Sequence, residues 1–298
     1  MPTVALACCE QFPDLDPEDR LLIPALAAVG IDAVPAIWTD ASIDWSAFDA
    51  VIIRETWDYT TNLDAFLQWT RHVDDVSTLM NPPDVIAWNT DKHYLKDLEE
   101  AGMSVVPTAF VEPGEDVTAW TPPADCADYV VKPAISCGSQ DTIRYSTSAP
   151  SEYARDHVRR LVDDSRAVMV QPYLDSVDTA GETALMFFGG EFSHAIRKGP
   201  LLVRGVEGER VEGLFVEEQI DPREPTLDEL VSARAIAECI PGGLGNVLYA
   251  RVDLIADEYG TPRLLELELC EPSLFLSHSE GAADRLAAAI AVRMGAST

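Results

Sequence analysis

The sequence is poor in lysine. Only Lys92, Lys96, Lys132 and Lys198 occur, and with arginine they bring the basic total to 21 against 51 acidic residues, a formal net charge of −30 in 298 residues. So negative a surface repels nucleic-acid phosphates and anionic membranes, and excludes both as partners for most of its area. Long apolar runs are missing too. No stretch approaches the length that spans a bilayer, and "MPTVALACCEQF" lacks a basic segment before a long apolar core, so a cytoplasmic protein is expected. The six cysteines, Cys8, Cys9, Cys126, Cys137, Cys239 and Cys270, include no CxxC pair and no histidine at zinc spacing, which argues against structural disulfides and zinc. A GxxxxGK[ST] phosphate loop is also absent. An acidic protein that binds a polyphosphate must concentrate its few cations at that site, so each lysine is worth locating.

What remains is an ordinary globular composition, 47% hydrophobic, in a chain long enough for two or three subdomains. "TVALACC" reads as a buried strand, "EDRLLIPALAAVG" as a helix ending near Gly30, and "IDAVPAIW" and "FDAVIIRETWDY" as further strands. This order is that of a doubly wound α/β unit, in which ligands collect at the carboxyl ends of the strands. Arg54 and Asp58 fall at such an end and could supply matching charges to an amino-acid zwitterion; Trp57 and Tyr59 fit local packing equally well. The Pro-rich "NPPDVIAWNTDK" marks a boundary near residue 85. "DKHYLKDLEEAG" reads as a helix stopping at Gly102, and "MSVVPTAFV" as a strand after it.

Three later stretches carry chemistry. In "DYVVKPAISCGSQDTIRY" a strand bears Lys132, and a loop with Ser136, Gly138 and Ser139 precedes a second strand; small residues let backbone amides approach a phosphate, although an ordinary turn explains the same letters. In "AVMVQPYL" Pro172 breaks regular pairing and leaves backbone groups near Gln171, Tyr173 and Leu174 free to meet a flat heterocycle. A hairpin turning at Gly189 and Gly190 ends in Arg197 and Lys198, which would steer a carboxylate or a γ-phosphate, or simply face solvent. "RVDLIADEYGTPRLLELELCEP" is a second hairpin. With its turn centred between Tyr259 and Gly260, Asp253 lies opposite Glu266 and Arg251 opposite Glu268, all on one face, while Leu265, Leu267 and Leu269 point to the other. Taken alone, a wetted polar face accounts for the alternation. His194 and His278 default to structural or surface roles, Cys137 to a small packed residue, and Arg204 and Arg210, in a loop after the first hairpin, to a cover for a small anionic substrate or to exposed charges.

The order of these parts resembles the ATP-grasp superfamily, most closely its glutathione-synthetase-type and ribosomal-protein-modification-type ligases, over about residues 89 to 275. The resemblance implies an α/β (α+β) ATP-grasp fold: a doubly wound pre-ATP-grasp domain over 1–88, a central lid subdomain over 89–174 and a C-terminal subdomain over 175–298, the last two clasping the nucleotide. It implies Lys92 and Lys132 on the phosphates under the loop of Ser136, Gly138 and Ser139, Gln171, Pro172, Tyr173 and Leu174 along the adenine, and Asp178 or Glu182 near the ribose. Asp253, Glu266 and Glu268 match the ligands of Mg²⁺ (or Mn²⁺), the last replacing the family's usual asparagine with an added charge. Arg251 matches the arginine facing the transferred phosphoryl group. The implied chemistry is activation of a carboxylate by ATP to an acyl phosphate, followed by amide-type bond formation with nitrogen. Ligases of this style include the cycloserine-forming cyclo-ligase acting on O-ureido-D-serine; an intermolecular amino-acid or peptide ligase and a nucleotide-sensing module are the alternatives. Members are often dimers, which makes a homodimer the family's expectation.

Overall fold

Near-continuous apolar runs build the first sheet. Residues 4–9 are fully buried, as are residues 50–55, the burial expected of strands covered on both faces. The computed structural model describes residues 1–206, 210–211, 214–216 and 218–295, with 210–211 and 215–216 described by backbone alone. β1 (Thr3–Cys8), β2 (Asp32–Ile37), β3 (Ala50–Glu55) and β4 (Leu79–Met80) form a parallel sheet in the order β2-β1-β3-β4. Helix α1 (Leu22–Ala28) packs on one face and α2 (Leu63–Val76) on the other, which makes the unit doubly wound.

The Pro-rich stretch starts a helix. Pro83 opens α3 (Pro83–Asn89), a position where its missing N–H costs nothing, so the expected division at 88/89 falls before the last residue of that helix, ahead of the turn leading to α4 (Tyr94–Glu100). The segment at 103–111 also departs from expectation. Val105 bridges to Leu264, and only Ala109–Val111 form a strand, β5, in another sheet; Pro107, which has no N–H to donate, lies between the two pairings.

β5 joins β6 (Asp128–Pro133), β7 (Ile143–Ser146) and β8 (Val168–Pro172) in an antiparallel sheet ordered β5-β8-β6-β7, backed by α5 (Glu152–Asp163). A larger antiparallel sheet follows, built from β9 (Glu182–Phe188), β10 (Glu191–Lys198), β13 (Ile220–Arg223), β14 (Tyr249–Ala256) and β15 (Pro262–Glu268) in the order β13-β10-β9-β14-β15. Between β10 and β13 runs a two-stranded pair, β11 (Arg210–Val211) and β12 (Phe215–Val216). One face of the large sheet packs on α4 and α6 (Leu227–Ala237). The other face changes character along its length. At one end Met186, Phe188, Ile196 and Tyr249 pack under α7 (Ala282–Arg293) in the same core as α1 and the first sheet; at the other end it carries Glu182, Lys198, Arg251 and Asp253.

Buried amides join the first sheet to the large one. Asn81, fully buried, donates to the carbonyls of Tyr249 (3.0 Å) and Leu269 (2.6 Å) and accepts from the Leu248 amide at 2.7 Å. Asn89 does the same for Leu267 and Leu269. Satisfied polar groups of this kind fix orientation, because losing one strands several backbone partners. No helix among the described residues is long and apolar enough to cross a membrane.

Candidate active site

The charged end of the large sheet is the floor of a cavity of about 430 Å³, roofed by the β6–β7 sheet and closed at the side by the first domain. The expected strand register holds where it matters: Arg251 pairs with Glu268 and Asp253 with Glu266. It does so with a bulge. Leu254 pairs with Leu264, so Leu265 is an extra residue, and it turns away from Leu267 and Leu269 into the cavity beside Val106, Val177 and Ile255. The leucine alternation read from the sequence is thus broken at that one position.

Each carboxylate on the floor has a cation. Arg251 grips Asp253 through Nε to Oδ1 and Nη2 to Oδ2, both at 2.9 Å, and also binds Glu268 and the Ser273 carbonyl. Lys198 Nζ lies 3.1 Å from Asp253, 3.6 Å from Glu218 and 4.0 Å from Glu182. Lys92 Nζ lies 3.1 Å from Glu266 and donates to the Ser136 carbonyl at 2.6 Å, tying the loop after β6 to the floor. Burial pushes Glu268 up to about 8, with Arg251 opposing, and Glu182 up to about 7, with Lys198 opposing. Burial would raise Glu266 as well, but Lys92 and Lys132 overcome it and hold that carboxyl below its ordinary value. Burial lowers the Lys132 ammonium, with Glu266 opposing and Lys92 adding to the effect.

The remaining expected residues divide cleanly. Ser136, Gly138, Ser139, Gln171, Pro172, Tyr173, Leu174 and Glu182 line the cavity with Lys92, Lys132, Lys198, Arg251, Asp253, Glu266 and Glu268. Gly138 and Ser139 are consecutive left-handed residues (φ 56° and 60°), a turn that glycine makes easily. Asp178 points elsewhere, to the Tyr173 hydroxyl and Arg144. Arg197 is not brought to the cavity: successive strand residues face opposite sides, and it donates to the Ala180 carbonyl at 2.8 Å. Arg54 is buried where the first domain meets Tyr249 and Pro272, against Asp19, Asp58 accepts from Trp38 Nε1 at 2.7 Å, and Arg204 binds Asp128 at 2.6 Å; none of the three lines the cavity.

The sequence reading missed an acidic wall. Asp16 and Glu18 from the first domain and Glu271 just beyond β15 line the cavity together with Ser273, Phe275 and His278, which is a cavity residue rather than a surface one. Cys137 also lines it, with Sγ 3.0 Å from the Trp57 carbonyl, and burial drives its thiol pKa well up, against nucleophilic use. The cavity lining therefore includes an apolar cluster (Val106, Leu174, Val177, Ile255, Leu265), a group of cations among carboxylates, and the further carboxylates Asp16, Glu18 and Glu271. Among the described residues no three His, Cys, Asp or Glu side chains form a ready-made metal cage. The donor set still fits a hard cation, since Mg²⁺ uses one or two protein carboxylates and takes its other oxygens from phosphate and water.

A sequence model of the D-cycloserine synthetase DcsG N-terminal domain matches residues 4–81. The cycloserine biosynthesis protein DcsG of Streptomyces lavendulae is 40% identical over 284 residues, covering 92% of each chain. The crystal structure of D-cycloserine synthetase DcsG superposes with a TM-score of 0.87 at 36% identity, over 98% of this chain and 99% of that one. More distant in sequence, the D-alanine–D-alanine ligase of Bacillus anthracis complexed with ATP (13% identity, TM-score 0.63, 99% and 97% covered) and the ATP-grasp ligase PsnB complexed with Mg and ADP (16%, 0.62, 99% of each) share the fold.

Proposed function

The chain belongs to the DcsG family of ATP-grasp ligases, and from that premise we propose that it uses ATP and Mg²⁺ (or Mn²⁺) to activate the carboxylate of O-ureido-D-serine and closes the same molecule into D-cycloserine. The observation that supports this reading is the make-up of one cavity: an apolar cluster, four cations interleaved with carboxylates, and three further carboxylates share its lining. A nucleotide base, a triphosphate and an amino acid together call for those three kinds of surface.

In this reading the base lies at the apolar end along residues 171–174, and Glu182 rather than Asp178 serves the ribose, because Asp178 is already engaged by Tyr173 and Arg144. Lys92, Lys132 and Lys198 would hold phosphate oxygens, and Asp253, Glu266 and Glu268 would be the metal's protein ligands. The metal neutralises charge on the triphosphate, which is its contribution to phosphoryl transfer. Arg251, fixed by Asp253 and by the Ser273 carbonyl, presents its charge where the acyl and phosphoryl oxygens meet. Asp16 and Glu271 receive the substrate's ammonium group, since both oxygens of Glu18 are taken by the Ser277 amide and hydroxyl, so the zwitterion is oriented carboxylate first. The six free cysteines accord with a reducing, cytoplasmic setting.

The test is ADP release with Mg²⁺ and O-ureido-D-serine as the sole amino acid, with the product identified by mass spectrometry. One ADP per D-cycloserine is expected. ADP release that needed a second amine would replace the cyclo-ligase with an intermolecular one, and ATP binding without turnover would make the chain a sensor.

A further inference from the structure

Arg144, on β7, lies outside the cavity lining and is only 7% exposed, yet it contacts the segment after β8, the start of β6 and the 3-10 helix that follows Leu174. Its guanidinium stacks on Tyr173, with Cζ 3.4 Å from the ring centre. Its Nε donates to Asp128 Oδ2 at 2.6 Å, and Nη1 approaches Asp178 Oδ2 at 3.5 Å. The Tyr173 hydroxyl donates to the other oxygen of Asp178 at 2.6 Å. The ring is therefore held in plane by the central sheet and at its tip by the 3-10 helix Asp175–Asp178 that leads into the large sheet. A cation over an aromatic face gains strength where water is excluded.

The hold matters because of where Tyr173 sits. Pro172 ends β8 and has no amide to continue the ladder, so after Tyr173 N–H bonds the Asp128 carbonyl at 2.9 Å the chain leaves the sheet and borders the cavity's apolar end. The loop after β10 is tied to the same point: Arg204 Nε shares Asp128 Oδ2 at 2.6 Å, and Gly205 N–H donates to the Arg144 carbonyl at 2.8 Å. Leu201 and Leu202 of that loop line the cavity.

We propose that Arg144 is the positioning residue for the base end of the nucleotide site, its side chain clamping residues 172–174 through Tyr173. The proposal rests on the nucleotide reading of the cavity given above. Arg144 touches neither the phosphate-facing lysines nor the acidic wall, so its contribution belongs to the base and leaves triphosphate and amino-acid binding alone.

Inorganic tripolyphosphate carries the charge of ATP without the base and separates the two. For Arg144→Met, the KM for ATP is expected to rise about tenfold, the scale of losing a stacked, hydrogen-bonded guanidinium. The turnover number at saturating ATP, the KM for the amino acid and the inhibition constant of tripolyphosphate should stay at wild-type values. A KM for ATP that does not move, or a parallel weakening of ATP and tripolyphosphate, overturns the proposal, the second by exposing a general distortion. If the Met variant does not fold, Arg144→Lys, which keeps a cation for Asp128 but loses the flat stack, carries the same comparison. Wild-type enzyme without ATP-dependent turnover would instead sink the nucleotide reading itself.

Discussion

Two buried ionic clusters in this molecule are built from the same kinds of residue and do different things. In the first domain Arg54, fully buried, forks onto both oxygens of Asp19 at 3.0 Å and caps the Pro272 carbonyl at 2.8 Å, while Glu55 accepts the Asp16 amide with both oxygens. On the cavity floor one lysine is shared by three carboxylates, and Glu266 and Glu268 keep roughly a quarter of their side chains exposed. The first cluster has saturated its hydrogen bonds inside the fold; the second has spare valence facing open space. Burial and charge are common to both, so access to a cavity is what separates a group open to a ligand from a structural one.

The largest effect expected from breaking this contrast is at Glu266. Glu266→Gln should lower turnover by about 10² or more, the scale of losing one preorganised electrostatic group, with little change in melting temperature. ADP release and a thermal melt check it together, and unaltered turnover would remove this carboxylate from the chemistry. Arg54→Met should do the reverse. It leaves Asp19 as an unpaired buried charge at a cost of about 3–5 kcal/mol, read by urea unfolding, while the folded fraction keeps its turnover number.

Glu55 sharpens the comparison through pH. Burial first, then the neighbouring Asp19 and Asp16 carboxylates, push it up to about 9, so the folded state retains a proton that the unfolded chain releases near 4.5. For an acid raised in this way, the proton-linked stability is complete below pH 4.5 and is lost progressively as pH climbs towards 9. Glu55→Gln, which keeps an acceptor for the Asp16 amide, should flatten the fall in melting temperature across that window and gain about 1–3 kcal/mol at pH 8. An unchanged slope would show that Glu55 ionises normally. The smallest effect belongs to Arg197→Ala, a change on the face turned away from the cavity, for which steady-state kinetics should match wild type; a large drop in turnover would mean that this arginine reaches the reaction in a conformation not seen here.

Local periodicity made much of this legible. The parallel strands, the two hairpins and the pairing of Arg251 with Glu268 follow from alternation and turn residues within short windows, whereas the expectation that Lys92, Lys132 and residues 171–174 share one site rests on the resemblance to ATP-grasp ligases. What escaped depends on distant partners. Arg54 meets Asp19 35 positions away, Asp58 meets Trp38 across 20, and Arg204 meets Asp128 across 76, so three charges that read as substrate contacts were already engaged. The acidic wall joins Asp16 and Glu18 to Glu271 across some 250 residues, and no local pattern announces it. Arg197 was different. Its alternation with Lys198 on one strand was enough to predict opposite faces.

The bulge at Leu265 sets a grease-lined surface and a carboxylate side by side on consecutive residues, which a regular strand never does. Removing that residue would close the ladder without turning Glu266 or Glu268 over. A single-codon event can therefore add or delete one apolar wall of the cavity and leave the charged residues beside it facing the same way.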